Sequence, residues 1–204
     1  MDSLDNYKKA WDNQPEEKHK FSALEIYKLA HSKSASIVKW IFIIGILEFV
    51  ILNSLSFFMD TKSSDILFKE MGLESIVFYS TAAAYVVLVY FLVLFYLNYK
   101  RISATDSSTE LMKKIINTRK TVRNYVLFNF SYLAFVVLVV TGAYININFN
   151  DLDTKKIIIM LLTIFALTLI ILGVLWLFYQ LLYGILLRKL KNNYKELAKL
   201  ENVE

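Results

Sequence analysis

Glu48 raises the first chemical question, because it is the only carboxylate in the apolar run SIVKWIFIIGILEFVIL that begins at Ser36. It lies nine residues after Lys39. At 1.5 Å per residue, that is about 13 Å into a hydrocarbon core about 30 Å thick. An ionised residue there costs about 2.5 to 3.5 kcal/mol, and such acids usually face the interior of a helix bundle.

Polar side chains in the later apolar segments are the expected partners of Glu48. Burial in hydrocarbon disfavours the ionised carboxylate, so we expect a largely uncharged Glu48 that hydrogen-bonds to one of them. The candidates are Asn129, Ser131, Tyr132, Thr163 and Thr168. Two roles remain open, a hydrogen bond that sets helix register and a relay for protons or cations. The first is favoured, because no second ionisable residue occupies the middle of any apolar segment.

Residues that usually carry enzyme chemistry are scarce. The chain has no Cys and two His, His19 and His31, so one copy cannot assemble thiolate sites or sites built from several His ligands. Gly-x-Ser-x-Gly, His-Glu-x-x-His and phosphate-binding glycine loops are also missing. We therefore predict a non-enzymatic protein with no cofactor and no metal.

Four long apolar segments predict the fold class. Hydrophobic residues make up 56% of the 204 residues, and there is a single Pro. Segments 37–59, 76–97, 125–147 and 157–187 each reach the roughly 20 residues that cross a bilayer. The predicted fold is an all-α integral membrane protein with four transmembrane helices in two hairpins, 35–97 and 125–187. Cytoplasmic amphipathic helices complete it.

The positive charges predict the orientation. Of the 23 Lys and Arg residues, 19 lie at or before Lys39, between the second and third spans, or after the fourth. Cytoplasmic segments carry such an excess, so both termini should lie in the cytoplasm, with the protein in the bacterial inner membrane. The net charge of +5 then points to anionic lipid headgroups rather than to nucleic acid as a partner.

Three cytoplasmic segments are candidate binding surfaces: the N-terminal helical segment 1–34, a basic linker helix 98–124 and the helical tail 188–204. Each has an apolar stripe, so we expect these helices to rest on the bilayer or to bind a protein partner. The linker stripe comprises Leu111, Met112, Ile115 and Ile116, and the tail stripe Leu190, Tyr194, Leu197 and Leu200. The candidate partner-binding residues are Leu4, Tyr7 and Trp11, and the candidate headgroup ligands are Lys113, Lys114, Arg119, Lys120 and Arg123.

Two capping boxes predict helix starts. Ser22 with Glu25, and Ser107 with Glu110, have the Ser-x-x-Glu spacing in which the serine hydroxyl accepts a hydrogen bond from the backbone amide three residues later. The boxes lie 85 residues apart. Duplication of a helix-plus-hairpin unit and chance recurrence of a common motif both remain open.

The N-terminal pattern carries a resemblance. Leu4, Lys8 and Trp11, followed by IYK at 26–28 and SIVKWIF at 36–42, resemble small uncharacterised four-span bacterial membrane proteins. Some of these carry an automatic carotenoid-oxygenase label. The resemblance implies no established activity, and two His without a strand-rich segment do not fit an iron dioxygenase on a β-propeller.

These observations predict a scaffold or regulatory protein that binds a cytoplasmic partner or anionic lipid. The alternatives are a small transporter or channel subunit that uses Glu48, with a homo-oligomer arranging several copies of this acid, and a membrane-tethered regulator similar in layout to an anti-sigma factor.

Overall fold

The computed structural model describes residues 23–58, 62–102, 107–149 and 153–201. Its helices are α1 (Ala23–Phe58), α2 (Lys62–Glu70), α3 (Glu74–Arg101), α4 (Ser108–Ile147), α5 (Thr154–Tyr179), a π-helical turn (Gln180–Gly184) and α6 (Ile185–Glu201). Four helices are long and apolar enough to span a membrane, over Leu24–Ile51, Glu74–Arg101, Ser108–Ile147 and Thr154–Lys199. No strand occurs in these described ranges.

Local sequence explains where α4 begins and where α2 ends. Ser107 is extended, and its hydroxyl accepts a hydrogen bond from the Glu110 backbone amide at 3.2 Å, which confirms the predicted cap of α4. The other predicted box depends on Ser22, which lies outside the described residues. Between α2 and α3, Gly72 has φ 66°, and the Leu73 amide donates to the Phe68 carbonyl. This is a Schellman end, which needs the left-handed conformation that glycine adopts freely.

The predicted domain boundaries fall inside continuous helices, namely α1, α3, α4 and α6. The 40 residues of α4 make a rod of about 60 Å, twice the hydrocarbon thickness, with no break where linker 98–124 should give way to a span. The fourth apolar segment passes through the π turn directly into α6. The first half of α4 and most of α6 therefore continue the third and fourth apolar helices beyond their most apolar stretches, without a break.

The packed core lies at one end of the bundle, which we call the basic end: the start of α1, the end of α3, the start of α4 and α6. There α1 packs against α3 and α6, and α4 packs against α3 and α6. Val38, Ile41, Leu111, Ile115, Leu190 and Leu197 are each fully buried. Within this core the Asn193 amide donates to the Ser34 hydroxyl at 3.0 Å, which ties α6 to α1.

The expectation that the linker and tail stripes lie on the bilayer or on a partner was wrong. Leu111 and Ile115 of the linker stripe and Leu190 and Leu197 of the tail stripe are at most 1% exposed, because they pack against one another and α1. Among the stripe residues whose side chains are described, Tyr194 is partly buried and Ile116 is 48% exposed. An amphipathic helix can cover its apolar face with protein as well as with lipid, and helical periodicity does not distinguish the two.

α5 differs from the helices of the basic end. It packs along one narrow stripe, and most of its apolar surface is exposed. Leu162, Phe165 and Ile170 are all more than 60% exposed. The π turn that follows changes the rotation between α5 and α6. Gly184 ends this turn, and a Cβ there would meet the Gln180 side-chain amide at 2.7 Å.

Candidate functional site

Glu48 is buried among helices with both carboxyl oxygens hydrogen-bonded. It lies on α1 and is 5% exposed. The Tyr179 hydroxyl donates to Oε1 at 2.7 Å, and the Tyr183 hydroxyl donates to Oε2 at 2.9 Å. Buried polar groups are stable in low dielectric when each has such a partner. These bonds join the first apolar helix to the end of the fourth.

Three tyrosines surround the carboxyl and form what we call the tyrosine cluster: Tyr125, Tyr179 and Tyr183. The Tyr179 and Tyr183 rings stack at 6.1 Å between centroids, and the Tyr125 ring meets each of them edge-on at 6.1 Å. The Tyr125 side chain, from α4, is the third that lies close enough to interact with the Glu48 carboxyl. Edge-on and offset rings pack favourably, so the cluster holds the hydroxyls in place.

The predicted partners of Glu48 are not the ones found. Asn129 donates to the Tyr125 backbone carbonyl, and Tyr132 faces Thr81 across 3.4 Å between hydroxyl oxygens. Ser131 is exposed. Thr163 and Thr168 each donate to the backbone carbonyl four residues earlier in α5. The prediction compared the depth of each side chain along straight spans with the depth of Glu48. It therefore placed the partners in the middle of the third and fourth spans, whereas they lie at the junction of α5 and the π turn.

One signal in the sequence could have pointed to the true partners. Tyr179 and Tyr183 are four residues apart in YQLLY, near the end of the fourth apolar segment. Residues at this spacing share one helix face and can approach one acid together. Tyrosines near the ends of apolar segments are usually read as interfacial anchors, which hid this alternative.

A close contact between α1 and α3 lies next to the tyrosine cluster. A Cβ on Gly45 would lie 3.0 Å from the Phe95 ring, so glycine at this position permits the approach of α3 to α1. Phe95 is 1% exposed and contacts the rings of Tyr125 and Tyr183. Glu48 follows Gly45 by three residues, and the same packing therefore positions the acid.

The cluster can bind a proton. An ionised Glu48 accepts both phenol hydrogens, and charge-assisted hydrogen bonds of this kind are stronger than neutral ones. A neutral Glu48 can instead donate its own hydrogen to a tyrosine oxygen, since a phenol is both donor and acceptor. Neither form leaves a carboxyl oxygen without a partner.

A cavity of about 230 Å³ adjoins the cluster on the side away from the basic end. It lies between α1, α3 and α4, and Gly45, Tyr125 and Asn129 are among the residues that line it. Further from the cluster, the Tyr85 hydroxyl donates to Asn53 Oδ1 at 2.7 Å. Tyr125 thus contacts both the cavity and the region around Glu48.

The predicted headgroup residues are divided between two environments. Lys113 is exposed, and the Lys114 ammonium donates to the Arg101 carbonyl at 2.6 Å. Arg119, Lys120 and Arg123 line one groove on the side of α4. The structure therefore brings together three of the five.

The other predicted site residues are Leu4, Tyr7 and Trp11, which lie outside the described residues, as does His19. His31 is partly buried, with its ring 6.2 Å from that of Tyr27. Within the described ranges, no group of three or more His, Asp or Glu side chains could hold a metal ion.

Comparison with known proteins gives a family without an assigned activity. No curated protein and no solved structure matches this chain. The family described as "Domain of unknown function (DUF8845)" matches residues 24–202, which include every described helix except the first residue of α1. The chain therefore belongs to the DUF8845 family.

Proposed function

We propose that this protein is a non-enzymatic, four-span protein of the bacterial inner membrane with a scaffold or regulatory role. The four long apolar helices support the membrane location. The concentration of Lys and Arg at the basic end supports its placement in the cytoplasm. In this arrangement the basic end is a helical bundle that stands in water and extends the spans.

The main support for this proposal is that the helical bundle at the basic end buries its own apolar stripes. Leu111, Leu190 and Leu197 face the core and leave polar side chains outside, so the bundle does not need the membrane surface for cover. Ala23 to Lys39 spans about 24 Å of continuous helix in α1. This length of helix lies on the N-terminal side of the predicted first span, and Leu4, Tyr7 and Trp11 remain the proposed residues that bind a soluble protein.

Crosslinking in native membranes followed by purification tests the partner. The wild-type chain should recover one soluble protein, and Trp11→Ala should lose it, because buried Trp side chains frequently dominate interfaces. Asn13→Ala, in the same segment, is the control and should keep the partner. Equal recovery with Trp11→Ala, or recovery of no soluble protein, contradicts the proposal.

Cysteine labelling tests the orientation, and the natural chain suits it because it contains no Cys. Lys69→Cys and Lys113→Cys introduce thiols at exposed positions on α2 and α4. A membrane-impermeant reagent should label the first in intact spheroplasts and the second only after permeabilisation. The reverse pattern would place the basic end outside the cytoplasm.

One observation favours a second candidate, a small transporter or channel subunit that uses Glu48. The cavity, whose lining includes the polar side chains of Tyr125 and Asn129, opens at the edge of the tyrosine cluster. Intramembrane acids beside such openings often carry protons or cations. Proton flux in liposomes should then fall to background with Glu48→Gln and persist with Glu74→Gln, whose residue is exposed at the start of α3. Flux indistinguishable between the wild type and Glu48→Gln would exclude this candidate.

A further inference from the structure

Two grooves join on the side of the bundle where α4 meets the α5–α6 helix. The first, of about 390 Å³, is lined by Ile116, Arg119, Lys120, Arg123 and Leu187. The second, of about 300 Å³, runs toward the middle of the apolar segments, and its lining includes Val126, Leu127, Phe130 and Trp176. Arg123 and Leu187 line both, so the grooves form one surface, basic at one end and apolar at the other.

The basic part is suited to an anion. Three of its five lining residues are cationic and none is acidic, as far as the described residues show. Arg119 Nε is buried and has no hydrogen-bond partner among the described residues. The Arg119 guanidinium carries further N–H donors beside Nε in a planar fork, and phosphate oxygens are acceptors that fit this fork.

The apolar part is suited to a hydrocarbon chain. Leu127 and Trp176 are 61% and 55% exposed along it. Eleven residues of α4 separate Arg119 from Phe130, which is about 16 Å of helix. One leaflet of the hydrocarbon core is about 15 Å deep, so a lipid with its phosphate at Arg119 would extend its chain along the whole groove.

We propose that this groove binds one anionic phospholipid, with its phosphate at the three cations and an acyl chain in the apolar part. The inference rests on the membrane location proposed above and is independent of the soluble partner. The groove differs from general attraction of lipid to a basic surface, because it is a concave site in which three cations adjoin an apolar extension.

Lipid in this groove would touch the tyrosine cluster. Tyr179 and Tyr183 line the apolar part and hydrogen-bond to Glu48 on their other side. A bound chain would press these rings toward the carboxyl. Occupancy is therefore expected to stabilise the junction of α5 and the π turn.

Native mass spectrometry of the detergent-purified full chain tests the site with phosphatidylglycerol and phosphatidylcholine of identical acyl chains. Phosphatidylglycerol should bind more tightly. Combined replacement of Arg119, Lys120 and Arg123 by Gln should weaken its binding roughly a hundredfold, since each cation near a lipid surface contributes about 1 kcal/mol and about 1.4 kcal/mol is tenfold. The control replaces Lys191, Lys195 and Lys199 of α6 by Gln, which changes the charge equally outside the groove and should preserve the affinity.

A second pair of variants tests the apolar part without changing charge. Leu127→Trp narrows the groove, whereas Leu138→Trp adds the same bulk at a site on α4 that is 72% exposed and lines neither groove. Only the first should lose phosphatidylglycerol. Thermal unfolding in lipid-free detergent checks that each variant is folded.

Three outcomes would overturn the proposal. One is equal phosphatidylglycerol affinity in the groove variant and its charge-matched control. Another is binding unaffected by Leu127→Trp. The third is a rise in melting temperature with inorganic phosphate alone that equals the rise with phosphatidylglycerol. That result would indicate a free-phosphate site instead of a lipid site.

Discussion

Apolar residues are placed in opposite ways along the continuous α5–α6 helix. Leu190 and Leu197 of α6 are fully buried, whereas Leu162 and Ile170 of α5 are 64% and 62% exposed. α6 carries Lys and Asn on its other face and so has one apolar side to cover. α5 is apolar on every side, the pattern of a helix that lies in hydrocarbon. Similar side chains thus stabilise the basic end by packing against protein, while in α5 they remain on the protein surface.

Among the variants that test this comparison, Leu190→Ala should have the largest effect on the free energy of unfolding. It leaves a cavity in the core of the basic end and should lower the free energy of unfolding by about 2–5 kcal/mol. Leu162→Ala removes an exposed side chain from α5 and should change stability by less than about 0.5 kcal/mol. Denaturant unfolding in detergent, followed by circular dichroism, measures both. Similar losses in the two variants would show that α5 is also packed against protein.

Glu48→Ala is the next largest change and probes where the two regions meet. It removes the acceptor of the Tyr179 and Tyr183 hydroxyls, so stability should fall by about 1–3 kcal/mol. Glu48→Gln should cost less, because its amide oxygen still accepts one of the two bonds. In a double-mutant cycle, Glu48→Ala and Tyr183→Phe should be clearly non-additive. Additive losses would mean that the hydrogen bond contributes little.

Glycine substitutions sharpen the comparison, with effects on stability that are equal to that of Glu48→Ala or smaller. Gly45→Ala forces a methyl group toward Phe95 and should destabilise the protein by about 1–3 kcal/mol. A Cβ at Gly142 or Gly173 would meet nothing within 4 Å. Alanine at either position should be neutral or stabilising by up to about 1 kcal/mol, through helix propensity. The same unfolding assay applies, and equal tolerance at all three sites would argue against the close contact of α1 with α3.

Local features of this fold were predictable because they depend on neighbours in sequence. The Ser107 cap needs only Glu110 three residues later. The four long apolar helices follow from hydropathy over about 20 residues. The burial of Glu48 follows from the high free energy of leaving an acid exposed to hydrocarbon.

The partners of Glu48 and the cover of the apolar stripes were not predictable in this way. Tyr179 is 131 residues from Glu48, and nothing local indicates that the two meet. The stripe containing Leu111 has the same periodicity whether lipid, a partner or α6 covers it. In both cases the expectation used depth and amphipathicity, which leave the packing neighbour undetermined.

The sequence by itself determined the four long apolar helices, one cap and the need to bury Glu48, because propensity and hydropathy act along the chain. Only the tertiary structure decided that Tyr179 and Tyr183 satisfy the acid, and that α4 and α6 bury their stripes against α1. It also decided that Arg119, Lys120 and Arg123 line a groove continuous with an apolar one. Such contacts depend on how long helices cross, and crossing geometry is set by packing among many distant side chains at once.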